Sequence, residues 1–217
     1  MHGCGGSIPT VAGNQPVDGV SNEWSEFVQH LTTLKIISEM PEEQRIPSAQ
    51  IPAIGPYLQG VLMERLDAAY VSYLHSLPFN PYSQYCYATK GGAELVWCIH
   101  ALTSEAERNI IQPLQGMEDF LVKGIDASFA VKRSMTEVID LQHLTDLIRS
   151  GSTNRSSITF LTPTSFKRAG SYAFIPDARL ILQNLLMRYN AVYEGNQEVD
   201  EDTIQYMEKN IHIVSYS

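Results

Sequence analysis

The residues of this chain best suited to chemistry are its cations and its imidazoles. Residues 121–190 hold 9 basic and 5 acidic side chains, against 5 and 13 in residues 1–120 and 1 and 6 in residues 191–217. The whole chain is acidic, with a formal net charge of −9. A phosphate within a Debye length nevertheless feels the local patch and not the sum. Lys132, Arg133, Lys167, Arg168, Arg179 and Arg188 therefore mark a candidate surface for a phosphate backbone. Guanidinium groups match phosphate with a planar fork of donors and stack on bases. An ordinary solvated face is the competing reading. His75 closes a helical pattern, where an imidazole either complements the helix dipole or, with a pKa near neutrality, moves protons. His100 and His212 fall in strand-like runs that read as packing, and His143 reads as a solvated helix side chain.

The three cysteines carry no such chemistry. Cys4, Cys86 and Cys98 form no CxxC, and no His lies close enough to complete a zinc site. If Cys86 and Cys98 flank a turn at 89–92, Cys98 faces Ser83, so the expectation is two reduced, half-buried thiols and no disulfide.

The elements that must position these groups follow from periodicity and breakers. Residues 1–22 hold five Gly and two Pro and no Lys or Arg, which reads as a flexible head. Ser21 or Asn22 then caps a short helix with Trp24, Phe27, Val28 and Leu31 on one face. Residues 34–40 read as a strand, and 41–52 as a Pro-punctuated connector. Pro56 opens a helix over 57–77, with Leu58, Leu62, Leu66, Ala69, Tyr73 and Leu77 at helical spacing and Pro78 ending it. Residues 82–88 and 94–101 are strand-like around Thr89-Lys90-Gly91-Gly92, a hairpin signal. Ser104 caps a helix running toward Phe120 with Pro113 interrupting it, and 121–131 resumes strand character. The order β-α-β-β-α-β is the ferredoxin-like unit, α+β in class. Its span is expected at 34–135, with Leu58, Leu62, Leu66, Val96 and Ile99 in the core. A second unit over 136–217 then begins: helix 138–150, turn 151–154, strand 157–161, helix 176–189, a short helix after 198–202 and a strand over 211–216.

Composition excludes several classes. A length of 217 residues with 44% hydrophobic content can bury a core. No apolar run reaches the roughly 18–20 residues that span a bilayer, and the N-terminus has neither a basic nor an apolar leader segment. A soluble, cytoplasmic chain is expected. No phosphate loop, dinucleotide fingerprint or nucleophile motif is present. Glu94-Leu95-Val96-Trp97 lacks the aromatic pattern of a simple RNA-recognition motif.

Three stretches carry a resemblance: IGPYLQGVLMERLDAAYVSYLH (54–75), SITFLTPTSFKRAGSYAFIPDARLILQNLLMRYNAV (157–192) and DTIQYMEKNIHIVSY (202–216). They resemble the CRISPR-associated endoribonucleases of the RAMP superfamily that cut precursor repeat RNA into guide RNAs, particularly those accompanying type III systems. The resemblance implies two ferredoxin-like domains in tandem, of which this chain carries the second only in part, without the family's terminal glycine-rich RNA-contacting loop. It implies attack of a ribose 2′-hydroxyl on the adjacent phosphate, leaving a 2′,3′-cyclic phosphate and a 5′-hydroxyl, with no metal or other cofactor. His75 matches one placement of the family's catalytic histidine. The other placement, just before the helix glycine, holds Gln59, and the position of an occasional Tyr partner holds Met63. Lys90, in the hairpin turn, is a cation that could stabilise phosphate charge. The implied partners are CRISPR precursor repeat RNA, type III effector-complex subunits and a second copy of the chain, with no membrane. A non-catalytic RNA-binding or assembly subunit is the alternative.

Overall fold

The computed structural model describes residues 30–40, 42, 45–140, 142, 143, 146, 150, 158–160, 166–168, 170–173 and 175–213. The proposed head and most of its helix lie outside the described residues, but Leu31 belongs to a strand. That strand, β1 (His30–Glu39), starts earlier than its apolar core at Leu34, because Thr32 and Thr33 are also buried. β-branched residues of this kind suit a pleated surface.

A 3₁₀ turn over Ser48–Ile54 leads into α1 (Gly55–Arg65), with Pro56 in its first turn, as expected. The single helix expected over 57–77 is two. Leu66 leaves the helical region at φ −90°, ψ 158°, and Asp67 caps a new helix, α2 (Ala68–Ser76). The Asp67 carboxylate accepts from the Ala69 and Tyr70 amides at 2.8 and 3.3 Å, so the side chain competes with continuation of the first helix.

β2 (Tyr82–Thr89) and β3 (Glu94–Ala101) form the expected hairpin. Its tip uses two left-handed glycines, Gly91 (φ 66°) and Gly92 (φ 92°). The four-residue connection 90–93 sets Thr89 opposite Glu94, so Cys98 faces Tyr85 and Ser83 faces His100. The expected register was two residues off. Cys86 and Cys98 are still free, and they lie on opposite faces of the sheet, each joined to a different apolar cluster.

Thr103, not Ser104, caps the third helical stretch, its hydroxyl accepting from the Ala106 amide. This α3 runs through Ser104–Ala106, a wide π turn at Glu107–Ile111, and Gln112–Leu114, where it ends. Phe120 lies instead in β4 (Asp119–Val122). The strand expected over 121–131 is two strands, because a turn at Lys123–Ile125 and a left-handed Asp126 (φ 49°) fold β4 back on β5 (Ala127–Asp140). Gly124 sits under the Tyr57 ring, where an added Cβ would fall 2.0 Å from Tyr57 Cδ1.

All pairings are antiparallel, in the order β2-β3-β1-β5-β4. This is the ferredoxin-like sheet with β5 as its fourth strand and β4 added at the edge. On one face Leu34 and Ile36 of β1, Trp97 and Ile99 of β3, and Phe120 and Phe129 meet Leu58 and Leu62 of α1, Leu74 of α2 and Ile110 of α3. Trp97, Phe120 and Phe129 form a chain of ring contacts at 5.6 and 5.2 Å. Of the expected core, Leu58, Leu62, Leu66 and Ile99 are here. Val96 is buried on the other face, with Ile37 and Cys98.

β5 runs past residue 135 to Asp140, so Val138 belongs to a strand and not to the start of a helix. Positions 142, 143, 146 and 150 are helical. Residues 158–160 are exposed and carry no strand. The strands in this region are β6 (Phe166–Arg168) and β7 (Ser171–Ala173), paired around Gly170 at φ 83°. α4 (Ala178–Tyr189) follows Pro176 and is capped by Asp177; it passes into a π turn at Asn190–Glu194. α5 (Glu201–Asn210) is capped by Asp200. Residues 211–213 are not a strand, and 214–216 lie outside the described residues.

Candidate nucleic-acid interface

Two of the sequence-selected cations are engaged by carboxylates. Lys132 is the extra residue of a bulge in β5, between the pairs Ile37 with Arg133 and Ser38 with Val131. It reaches Glu39 at 3.3 Å and the nearly buried Glu94 at 3.7 Å. Arg179 is more fully engaged. Its guanidinium takes Glu201 in a two-pronged contact at 2.8 and 2.9 Å and Glu208 at 3.1 Å, fastening α4 to α5. The hydrogen bonds that Arg179 donates to Glu201 and Glu208 raise its pKa, and the bond to Glu201 holds that carboxyl below its ordinary range. A guanidinium so occupied has fewer donors left for phosphate.

Arg133 is exposed on β5. Lys167 and Arg168 pair with Tyr172 and Ser171 in the β6–β7 hairpin, and their side chains lie outside the described residues, as does that of Lys90. The backbone nevertheless separates Lys90 from His75. Lys90 follows the last residue of β2, while His75 precedes its first by a short loop. Eight strand residues at about 3.3 Å each put roughly 25 Å between the two ends. Lys90 thus sits at the far end of β2 from the loop that follows His75.

His75 lies in the last turn of α2. Tyr70 and Leu74 face the core, which leaves His75, one position on from Leu74, turned out to solvent. A cation near this end of β2 comes from far along the chain. Four residues after His75, Phe79 is half-buried, and the guanidinium carbon of Arg188 stands 5.3 Å from its ring centroid. Arg188 Nε donates to Asn184 Oδ1 at 3.3 Å, and among the described residues no carboxylate pairs with it. A second contact holds the same junction. Tyr193 Oη donates to the Leu102 carbonyl at 2.9 Å, and the Leu102 amide donates to the Pro81 carbonyl at 2.9 Å. Burial raises the Tyr193 pKa, so its phenol is a donor across the working range. At the same end of the sheet His30 Nε2 meets Glu107 at 2.8 Å.

Sequence reasoning selected His75 and Arg188 separately and missed Phe79 and Tyr193. An aromatic set between two prolines, Leu77-Pro78-Phe79-Asn80-Pro81, without helical or strand periodicity, was the available signal. His100, expected to pack, does so. It is half-buried, its Nδ1 2.8 Å from Thr33 Oγ1 and its ring stacked at 5.5 Å on Tyr85, and burial together with Lys35 lowers its pKa. His143 and His212 are exposed.

The chain is similar to known proteins over most of its length. A family model for the CRISPR-associated endoribonuclease Cas6 matches residues 158–212. A CRISPR-associated endoribonuclease Cas6 of Mycobacterium tuberculosis (strain CDC 1551 / Oshkosh) is 34% identical over 174 residues, 79% of this chain and 54% of the relative. One from Streptococcus thermophilus is 33% identical over 161 residues, 72% of this chain and 64% of the relative. The chain thus spans a little over half the length of the first and under two thirds of the second. Among solved structures, the Cas6 (TTHA0078) product complex superposes with a TM-score of 0.58 at 20% identity, over 83% of this chain and 71% of that one. The Cas6 (TTHB231) product complex gives 0.56 at 15%, over 84% and 72%. At these identities the superpositions speak for the fold, which is the same ferredoxin-like arrangement. Family model, curated relatives and fold agree, and the chain belongs to the CRISPR-associated endoribonuclease Cas6 family.

Proposed function

We propose that this chain takes part in processing CRISPR precursor repeat RNA, binding the RNA at the junction of α2, the loop to β2 and α4. The observation that carries this reading is that Arg188, a guanidinium with no carboxylate partner among the described residues, lies over Phe79, four residues beyond the solvent-facing His75. In the proposed reaction a ribose 2′-oxygen attacks the adjacent phosphorus and the bond to the 5′-oxygen breaks. The 2′-proton is taken up, and a proton is delivered to the departing oxygen. His75 serves one of these transfers, for which an imidazole is suited near neutral pH. The products are a 2′,3′-cyclic phosphate and a 5′-hydroxyl. No metal is needed for these steps. We propose further that the chain comprises a unit over 34–135, extended by the end of β5, and a second over 136–217, and that it works in the cytoplasm with type III effector subunits.

Cleavage of a labelled repeat stem–loop in excess EDTA, with product ends identified by phosphatase and kinase treatment, tests this. A cyclic phosphate end supports it; a 3′-hydroxyl end or metal dependence refutes the mechanism. A binding-only role is the second reading, favoured by one observation: Gln59, which cannot titrate, fills the alternative placement of the histidine and is held in hydrogen bonds to Tyr82 and Gln84. Tight binding without cleavage would establish it.

A further inference from the structure

Phe79 lies in no motif and in neither strand nor helix, yet its half-buried ring meets a cation more than a hundred residues away in sequence. We propose that Phe79 is a positioning residue for RNA: its ring holds the Arg188 guanidinium beside the His75 end of α2, donors outward, for contact with a phosphate. The inference rests on the RNA-binding reading above.

The physical case has three parts. A guanidinium stacked on an aromatic face uses its π surface, while its N–H donors lie in its own plane and stay available at the rim. Arg188 shows this division. Its guanidinium carbon lies over the Phe79 ring, 5.3 Å from the centroid, and its Nε is turned back to Asn184, which leaves the terminal nitrogens without a carboxylate among the described residues. Arg179, on the same helix, is the contrast, with its donors spent on Glu201 and Glu208. The second part is rigidity. An exposed Arg side chain samples many rotamers, and holding it in place before the RNA arrives removes an ordering cost from binding. The third is location. Four residues of chain separate Phe79 from His75, which limits their Cα atoms to about 14 Å. The Tyr193–Leu102 hydrogen bond holds the end of α4 against the same loop. A phosphate on Arg188 is thus within a few nucleotides of an imidazole.

The test is a double-mutant cycle on the full chain, using a labelled RNA stem–loop with single-stranded flanks. Arg188→Gln should weaken binding and lower the salt slope by about one counterion. Phe79→Leu, which keeps apolar bulk and removes the π face, should weaken it about two- to fivefold, the worth of an exposed cation–π contact. Phe79→Trp should bind as wild type. In the Arg188→Gln background Phe79→Leu should cost nothing further. Wild-type affinity for Phe79→Leu, or an equal loss in both backgrounds, overturns the positioning role while leaving the RNA reading intact. No binding by the wild type overturns both. A readout independent of RNA and of folding yield is the Arg188 Hδ resonance of the wild type. It should be shifted upfield by the Phe79 ring, and an unshifted signal also defeats the proposal.

Discussion

Gln59 and Tyr82 join α1 to β2 through a 2.6 Å hydrogen bond, the Gln59 amide donating to the phenol oxygen. The same side chain accepts from Gln84 Nε2 at 2.5 Å, and Gln84 in turn accepts from Trp97 Nε1 at 2.8 Å. One polar chain thus runs from the helix layer to the central aromatic of the core. Gln59, directly before Gly60, has its side-chain amide committed to this network. That position is structural.

Gln59→His is therefore expected to destabilise the fold and not to supply a new catalytic group. An imidazole cannot donate to Tyr82 and accept from Gln84 with the amide's geometry, and a half-buried partner left unpaired costs about 1–3 kcal/mol. Thermal unfolding should show a lower midpoint, with His75-dependent cleavage no faster per folded molecule. An unchanged midpoint would mean that the network is replaceable.

His75→Ala should cut the cleavage rate by about 10²–10⁴-fold while the affinity for the stem–loop stays within a factor of two. Acid–base help acts in the transition state and adds little to ground-state phosphate binding. Single-turnover cleavage beside a filter-binding titration separates the two. Equal rates for variant and wild type would remove His75 from the mechanism.

Arg179→Ala should leave the salt dependence of RNA binding unchanged. What it removes is the fastening of α4 to α5, and it leaves Glu201 and Glu208 facing each other without a counterion. Protease sensitivity of the 178–210 region should rise, and Glu201→Gln should reproduce part of that rise. A flattened salt slope would return Arg179 to the RNA surface.

Acid should release α5 before the sheet. Asp200 is held below its ordinary range by the Thr203 hydroxyl and the backbone amides of its cap, and Glu201 by Arg179. A carboxyl whose folded pKa is depressed adds stability that is present above its unfolded pKa and lost as pH falls through the folded value. Both contributions should hold above about pH 4 and fade below it. His100, with its pKa lowered mainly by burial, acts in the same direction from about pH 6.5 downward, since protonation favours the unfolded chain. Far-UV circular dichroism from neutrality to acid should show helix loss before strand loss, and Asp200→Ala should show the early phase already at neutral pH.

Local chemistry was legible wherever one residue or one period decides it. Pro56 opening α1, the β2–β3 hairpin with glycines at its tip, and the apolar spacing of Leu58 and Leu62 all follow from dihedral preference and from which side of an element must be dry. The breaks were harder, because they turn on competition. Asp67 ends one helix and caps the next with two hydrogen bonds, and periodicity alone reads through it. The turn at Lys123–Ile125 split an expected strand because Gly124 is where the Tyr57 ring must lie.

By itself, then, the sequence determined the α+β class, the β-α-β-β-α-β frame and most of its helix-facing core, all set by patterns a few residues long. Only the tertiary structure decided which cations are available. Arg179, Lys132 and Arg188 are all cations in the sequence. Whether a guanidinium or an ammonium can meet a phosphate depends on the carboxylates and rings that folding brings within about 4–6 Å of it. Those partners, Glu201 and Glu208, Glu39 and Glu94, and Phe79, come from other elements, so no local pattern could assign them.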